Sequence, residues 1–378
     1  MSLPPLYHRG SVKNILGETD AAQLVFAYSN RYSVFDWGEM PDHIPHKGEC
    51  LAVMAYVFFK ALGQAETWTS WSHPQISEDN PTLKELRTHG LAHHMAQGLI
   101  NEDGSAADID KPTPYLEVNR VAVLRPDYSD GTYDYTAYQS KPVDALVPLE
   151  VIFRFGVPAG SSLMKRVNDP SYLKALGLSE KPNFGDRFEK PIIECSTKLE
   201  STDVYISAER AAEIASLSEA EAQNLYELVH ILALRIHEIF GTAGLELWDG
   251  KFEFAFAAGS DGQRRFQLVD SIGPDELRLT YNGVQLSKET LRKPYRSTPW
   301  LTAIDQAKTL AKDRGERDWK KICREELQST PSPLEPEFLE LIVQMYKALT
   351  NAVSEQLMGT KAFADAWSID RVAEKAQG

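Results

Sequence analysis

The sequence predicts an α+β protein of two lobes. Strand-like runs dominate its first part, a capped amphipathic helix and a hairpin share its middle, and helices close it. The expected division is a β-rich lobe over residues 1–125, an α+β lobe over 126–300, and C-terminal helices over 301–378 packed on the second lobe.

In chain order, residues 6–60 read as strands and turns followed by a helix. Leu24–Tyr28 (LVFAY) is a short β-rich run, and Glu49–Leu62 has apolar residues at helical spacing. Val118–Leu124 and Leu146–Phe155 read as two more strands; the polar, tyrosine-rich PDYSDGTYDYTAYQSK between them reads as an inserted surface loop or hairpin. Ser218-Glu219-Ala220-Glu221 has the form of a capping box, in which serine and glutamate satisfy the first free amides of a helix. Leu225, Leu228, Val229, Leu232, Ile236 and Phe240 continue it as one apolar stripe, and Gly241 is the expected stop. A strand over Leu245–Ala257, a turn at GSDGQ and a strand over Phe266–Ile272 form the hairpin. Residues 301–312 and 336–358 read as amphipathic helices.

Composition narrows the functional class. Of 378 residues, 54 are acidic and 40 basic, and the net charge of −14 disfavours binding to nucleic acid or an anionic membrane surface. Such a charge still permits a small anionic substrate in a cleft that collects a few cations. The cysteines Cys50, Cys195 and Cys323 are too scattered for a disulfide framework or a zinc site and read as reduced thiols. MSLPPLYHRG has no signal-like apolar core, and no apolar run approaches about 18 residues. A soluble, cytoplasmic protein is expected, and a homo-oligomer is left open.

The chemistry is concentrated in WDGKFEFAF. Strand side chains alternate faces, so Asp249, Lys251 and Glu253 share one face while Phe252, Phe254 and Phe256 share the other. The returning strand ends in LVDSIGPDELR, which brings Asp270 toward the charged face. Magnesium takes one or two carboxylates plus phosphate oxygens, and a lysine neutralises phosphate charge, so the pattern suits a magnesium–nucleotide site. An exposed ladder of opposite charges explains the alternation equally well. In HRGSVKN, Gly10 and Lys13 suit a turn that approaches phosphates, although the segment matches no standard phosphate loop. Arg154, Ser161, Arg166, Lys198 and Arg278 suit a phosphorylated, carboxylated ligand, since arginine forks grip such groups in pairs of bonds. His89, His93 and His94 read as an exposed polar helix face rather than a metal grip, and His230 and His237 as packing or surface residues.

Several segments together resemble the SAICAR synthetase family. They are HRGSVKNIL, SVFDWGEMPDHIPHKGE, LVPLEVIFRFGVPAGSSLMKR, STKLESTD, GLELWDGKFEF and LVDSIGPDELRL, in family order over residues 6–292. The resemblance implies a kinase-like or ATP-grasp-like fold with ATP between two lobes. It implies an ATP-dependent ligase of purine biosynthesis that joins L-aspartate to carboxyaminoimidazole ribotide through an acyl phosphate. Under it, Gly10, Ser11, Lys13 and Lys251 would contact ATP, Glu253 and Asp270 would hold Mg2+, and Lys251, Asp249 and Lys198 would be catalytic. Asp36, Lys47, Arg154, Ser161, Arg278 and Arg292 would bind substrate.

Three departures from the family pattern stand out: Ser11 in place of a lysine, Ser271 in place of a glutamate, and Thr202 in place of a histidine. Each removes a charge or a titratable group from the cleft. They keep two other readings open, a ligase for a different carboxylate or amine and a catalytically weak nucleotide-binding regulator.

Overall fold

The computed structural model describes residues 2–259 and 262–377. An antiparallel first sheet is built from β1 (Leu6–Arg9), β2 (Lys13–Leu16), β3 (Gln23–Tyr28), β4 (Met95–Leu99) and β5 (Tyr115–Asn119), in the order β1-β2-β3-β5-β4. Between β3 and β4 lie α1 (Lys47–Leu62), α2 (Glu66–Thr69) and α3 (Pro81–His89). Helix α1 packs on the sheet and is apolar almost all round, burying Leu51, Val53, Met54, Val57, Phe58 and Leu62. A helix of that kind needs cover on both sides.

The strand expected over Val118–Leu124 is displaced toward the N-terminus. Asn119 pairs with Gln23, the first residue of β3, so beyond it no partner remains in the first sheet. The chain then crosses to the second sheet as a strap. Ala122 donates to Asp144 O at 2.7 Å and accepts from Leu146 N at 2.8 Å. The tyrosine-rich insertion is a small hairpin, β6 (Asp127–Ser129) and β7 (Thr132–Asp134), turned by Asp130 and Gly131 at φ of 50° and 84°. Aspartate followed by glycine suits this two-residue turn, because both centres need positive φ.

The second sheet contains β8 (Ala145–Gly156), β9 (Arg187–Thr197), β10 (Tyr205–Ile206), β11 (Glu246–Ala258), β12 (Arg264–Val269), β13 (Leu277–Tyr281) and β14 (Val284–Gln285). Its order is β10-β9-β8-β11-β13-β14, with β12 also pairing with β11. One edge of β11 is thus shared: residues 246–250 pair with β13 and residues 253–258 with β12. The hairpin's second strand ends at Val269, short of the expected Ile272, because Asp270 turns at φ 67°. The centre of the GSDGQ turn, Ser260 and Asp261, lies outside the described residues.

Helices α4 (Pro170–Ala175), α5 (Ala208–Ile214) and α6 (Glu219–Thr242) accompany this sheet. Both halves of the Ser218–Glu221 capping box are formed, and α6 lays Leu225, Val229, Leu232, Ile236 and Phe240 under the sheet. Gly241 lies inside the helix; the residue that turns the chain at positive φ (74°) is Gly244. After a run through α7 (Pro299–Arg314) and α8 (Trp319–Lys321), α9 (Pro336–Met358) lies along α1, and α10 (Ile369–Gln377) packs on α9 and β14. The C-terminal helices therefore cover α1 as well as the second sheet, which is broader than the expected packing of 301–378 on the second lobe. No helix among the described residues is long and apolar enough to cross a membrane.

Candidate active site

A cleft of about 500 Å³ separates the two sheets. Its apolar lining comes from Ile15 and Leu24 of the first sheet and from Val121 and Val123 of the strap. Its polar end holds Lys13, Lys198, Lys251, Glu253 and Asp270. A second cavity of about 190 Å³ continues along β11 and β13, lined by Arg154, Ser162, Asp249, Arg278, Glu289 and Arg292. Lys251, Asp275, Glu276 and Lys288 line both cavities and mark their junction.

The polar end is a lattice of alternating charge. On β11 the aromatic face is sealed, with Phe252, Phe254 and Phe256 at 0–1% exposure, so Asp249, Lys251 and Glu253 face the cavities. Lys251 Nζ donates to Glu150 Oε1 at 2.6 Å and to Glu253 Oε1 at 2.8 Å. Lys198, just past β9, donates to Glu253 at 2.7 Å and to Glu150 at 3.1 Å. Burial works against the charge on both lysines, but Glu253 and Glu150 outweigh it and raise both above the ordinary lysine value. Lys13 reaches across from β2 to pair with Asp270, and its Nζ lies 4.0 Å from the centre of the Phe26 ring. Burial opposes ionisation of Asp270, yet Lys13, Lys251 and Lys198 hold its carboxyl far below the usual carboxylate range.

The glycine turn is built as Gly10 requires. Gly10 N donates to Lys13 O at 2.9 Å, and a Cβ on Gly10 would come within 2.5 Å of that oxygen. Arg31 braces the turn from below through Gly10 O at 2.9 Å and Ser11 O at 3.2 Å. Gly10, Ser11 and Lys13 all line the cleft.

In the second cavity Asp249 is held by Arg154 at 2.9 Å and by Arg278 at 3.3 Å. Arg154 is 2% exposed and is also bound by Glu194 at 2.6 Å, so its guanidinium is largely committed to the protein. Arg278 Nη1 and Arg292 Nε, in contrast, are buried with no partner. Donors of that kind, buried and unpaired, suit an incoming anion. The hydroxyl facing the cavity is that of Ser162, 3.3 Å from Arg154 Nη2, whereas Ser161 Oγ is buried without a partner and lines neither cavity.

Two further expected substrate residues lie outside both cavities. Lys47 is fully buried at the start of α1 and donates to Asp275 Oδ2 at 2.7 Å; it supports a residue of the junction from beneath. Asp36 is exposed and pairs with Lys308 of α7 at 3.1 Å. The histidines also differ from expectation. His89 ends α3, and Gly90 turns the chain before His93 and His94, so they share no helix face. His94 is 2% exposed, packed edge-on against Phe26 and Phe59, and burial drives its pKa down to about 3. His237 packs on Phe155 and His230 bonds Gln75. The three cysteines are free and buried.

Glu150, Ser162, Glu276 and Lys288 were not singled out from sequence. A signal existed for Glu150, which stands four residues before Arg154 and therefore on the same face of β8. Glu276 carried no such signal. Burial, followed by the charges of Asp270 and Asp275, pushes its carboxyl up to about 8.

No group of three or more His, Cys, Asp or Glu among the described residues is placed to hold a metal alone. Glu253 and Asp270 offer two carboxylates beside three lysines, a donor set that suits magnesium arriving with phosphate oxygens.

Comparison with known proteins gives one consistent result. The family model described as SAICAR synthetase matches residues 6–306. A protein of Archaeoglobus fulgidus assigned as a phosphoribosylaminoimidazole-succinocarboxamide synthase is 34% identical over 354 residues, covering 91% of this chain and 93% of that protein. A synthase of the same description from Thermoplasma acidophilum is 27% identical over 310 residues, covering 80% and 86%. Among solved structures, the Saccharomyces cerevisiae SAICAR synthase complexed with SAICAR superposes with a TM-score of 0.55 at 23% identity, covering 95% of this chain and 96% of that one. A SAICAR synthetase in complex with ADP gives 0.52 at 18% identity, covering 94% and 99%. At these identities the structural matches speak for the fold.

Proposed function

From its membership of the SAICAR synthetase family, to which the chain belongs by the match over residues 6–306 and by 34% identity across 91% of its length, we propose that it is an ATP-dependent ligase of purine biosynthesis that joins L-aspartate to carboxyaminoimidazole ribotide. The observation that carries this reading is the lattice of Lys13, Lys198 and Lys251 with Glu150, Glu253 and Asp270 where the two cavities meet.

ATP enters the larger cleft with its base against Val121, Val123 and Leu24 and its phosphates toward Lys13, Lys198 and Lys251. Glu253 and Asp270 would hold magnesium, which screens phosphate charge and polarises the transferred group. The ribotide occupies the second cavity, where the unpaired donors of Arg278 and Arg292 meet its anionic groups. Arg154 contributes by fixing Asp249.

A carboxylate is a poor electrophile, so ATP first phosphorylates it to an acyl phosphate and ADP leaves. The amine of aspartate then attacks the acyl carbon and phosphate departs. Lys251 reaches the junction from both cavities, where its charge opposes the negative charge that builds during transfer. Alignment of the two substrates supplies much of the remaining rate. No covalent protein nucleophile is needed. We assign residues 1–125 and 126–300 as the lobes that enclose ATP, with the C-terminal helices bracing both, and we place the protein in the cytoplasm.

The test is ADP release by the purified protein with magnesium, ATP, aspartate and carboxyaminoimidazole ribotide. Equal amounts of ADP and amide product, formed only with both substrates present, are expected. ADP formed only with other carboxylates or amines, or nucleotide binding without turnover, would overturn the assignment.

A further inference from the structure

The ligation needs a group to receive protons. Aspartate carries an ammonium near neutral pH, and the ammonium has no lone pair with which to attack. The carboxylates around the two cavities are the acceptors within reach, and nearly all are already engaged. Glu150 and Glu253 are held by Lys198 and Lys251, Asp270 by Lys13, and Asp249 by Arg154 and Arg278. Asp275 accepts from Lys47 at 2.7 Å and from Tyr346 at 2.6 Å, and Glu289 is bound by Arg292 and Arg296.

Glu276 differs. Among the described residues its Oε2 is a carboxylate oxygen sealed from solvent with no hydrogen-bond partner. Its backbone is fixed at both ends: its N–H donates to Gly273 O at 3.1 Å, and its carbonyl accepts from Lys251 N at 3.2 Å. That second bond anchors it beside the lysine of the transfer site, in the wall common to both cavities. A buried polar atom left unpaired costs stability, so its persistence at this junction points to a partner that arrives with substrate.

We propose that Glu276 is the catalytic proton acceptor for the attacking amine. The proposal rests on the ligase reading above. The aspartate ammonium gives one proton to the Glu276 carboxylate, which exposes the nitrogen lone pair. That pair forms the N–C bond to the acyl carbon. The C–O bond to the phosphoryl group breaks, its electron pair leaves with phosphate, and phosphate can take the second proton shed by the nitrogen. Atoms and charge balance without any further reactant.

The groups facing Glu276 are consistent with this role. They are Asp270 after β12, Asp275 beside it, Lys251 of β11, Lys13 of β2, Tyr28 of β3, Lys288 after β14 and Tyr346 of α9. Burial and the two aspartates favour its protonated form, so the carboxylate that accepts the proton is a stronger base than an ordinary glutamate and gains in population toward alkaline pH.

The test compares two amines in the complete reaction with magnesium, ATP and carboxyaminoimidazole ribotide. Hydroxylamine is largely unprotonated at neutral pH and intercepts an acyl phosphate as a hydroxamate without a base. Glu276→Gln keeps the shape of the side chain; it is expected to lower kcat with aspartate about 100-fold or more. Hydroxamate formation and the KM for ATP should stay within about twofold, and the acidic limb of the kcat profile with aspartate should disappear. Glu276→Ala, run in parallel, should behave alike. Unchanged aspartate turnover in both variants, or equal loss of the hydroxylamine reaction, would overturn the proposal. Failure of the unmutated protein to make either product would instead overturn the ligase reading on which it stands.

Discussion

Lys47 and Asp275 stand 228 residues apart in the chain, yet Lys47 Nζ lies 2.7 Å from Asp275 Oδ2, with the side chains 0% and 4% exposed. The pair ties the start of α1 to the junction loop, and Tyr346 of α9 donates to the other oxygen of the same carboxylate at 2.6 Å. Breaking a buried pair on one side strands the remaining charge. Lys47→Met is therefore expected to cost about 3–5 kcal/mol, and Tyr346→Phe about 1.5–3 kcal/mol, both read from urea melts. Burial tends to raise the Asp275 carboxyl, but Lys47 and Lys288 hold it below its ordinary value. A depressed carboxyl contributes stability that is present above about pH 4 and lost as pH falls further. Lys47→Met should lose stability at a higher pH than the unmutated protein; matching acid limbs would contradict the pairing.

Glu253→Gln and Asp270→Asn test the metal assignment. Each removes one of the two carboxylates that would hold magnesium beside the lysines. Turnover should fall on the order of 100-fold or more, with a larger magnesium requirement, while far-UV circular dichroism stays unchanged. Full activity at ordinary magnesium in both variants would exclude these ligands.

Arg278→Lys separates the two cavities. The arginine fork spends its Nε on Asp249 at 3.3 Å and keeps Nη1 unpaired and buried, a division that a lysine cannot reproduce. The KM for the ribotide should rise about 10- to 100-fold, because each lost charge-assisted bond is worth about 1.5–3 kcal/mol. The KM for ATP should not move. Parallel rises in both would mean that the second cavity does not bind the carboxylate substrate.

His94 predicts a pH effect on stability. Burial keeps it neutral in the folded protein, with a pKa of about 3 against about 6.5 when unfolded. Its contribution is complete above about pH 6.5 and is lost as pH falls toward 3, at up to about 1.4 kcal/mol per unit. His94→Phe should flatten that part of the stability curve relative to the unmutated protein. An unchanged difference between pH 7 and pH 4.5 would refute it.

Much of this architecture could be read where a local pattern carried it. The alternation in WDGKFEF assigned Asp249, Lys251 and Glu253 to one face because strand period alone decides faces, and the Ser218–Glu221 cap is a four-residue device. Long-range pairing was not legible. Nothing in IPHKGE says that Lys47 is consumed by Asp275, or in RFGVPAGSS that Arg154 is neutralised by Glu194 and that Ser162 is the serine facing the cavity. The strand expected over Val118–Leu124 failed for the same reason: its extended residues are real, but β5 runs out of partners at Asn119, opposite the first residue of β3. Glu276 was missed because its character comes from what surrounds it.

The divided edge of β11 has a consequence for how such a protein can change. Residues 270–276 cross the seam where one neighbouring strand stops and the next begins, and they carry Asp270, Asp275 and Glu276. The strands on either side are held in register by their own backbone pairing with β11. Substitutions in these seven residues can therefore change the groups proposed to handle protons and metal while the flanking strands keep their pairing, provided that the buried Lys47–Asp275 tie is left in place.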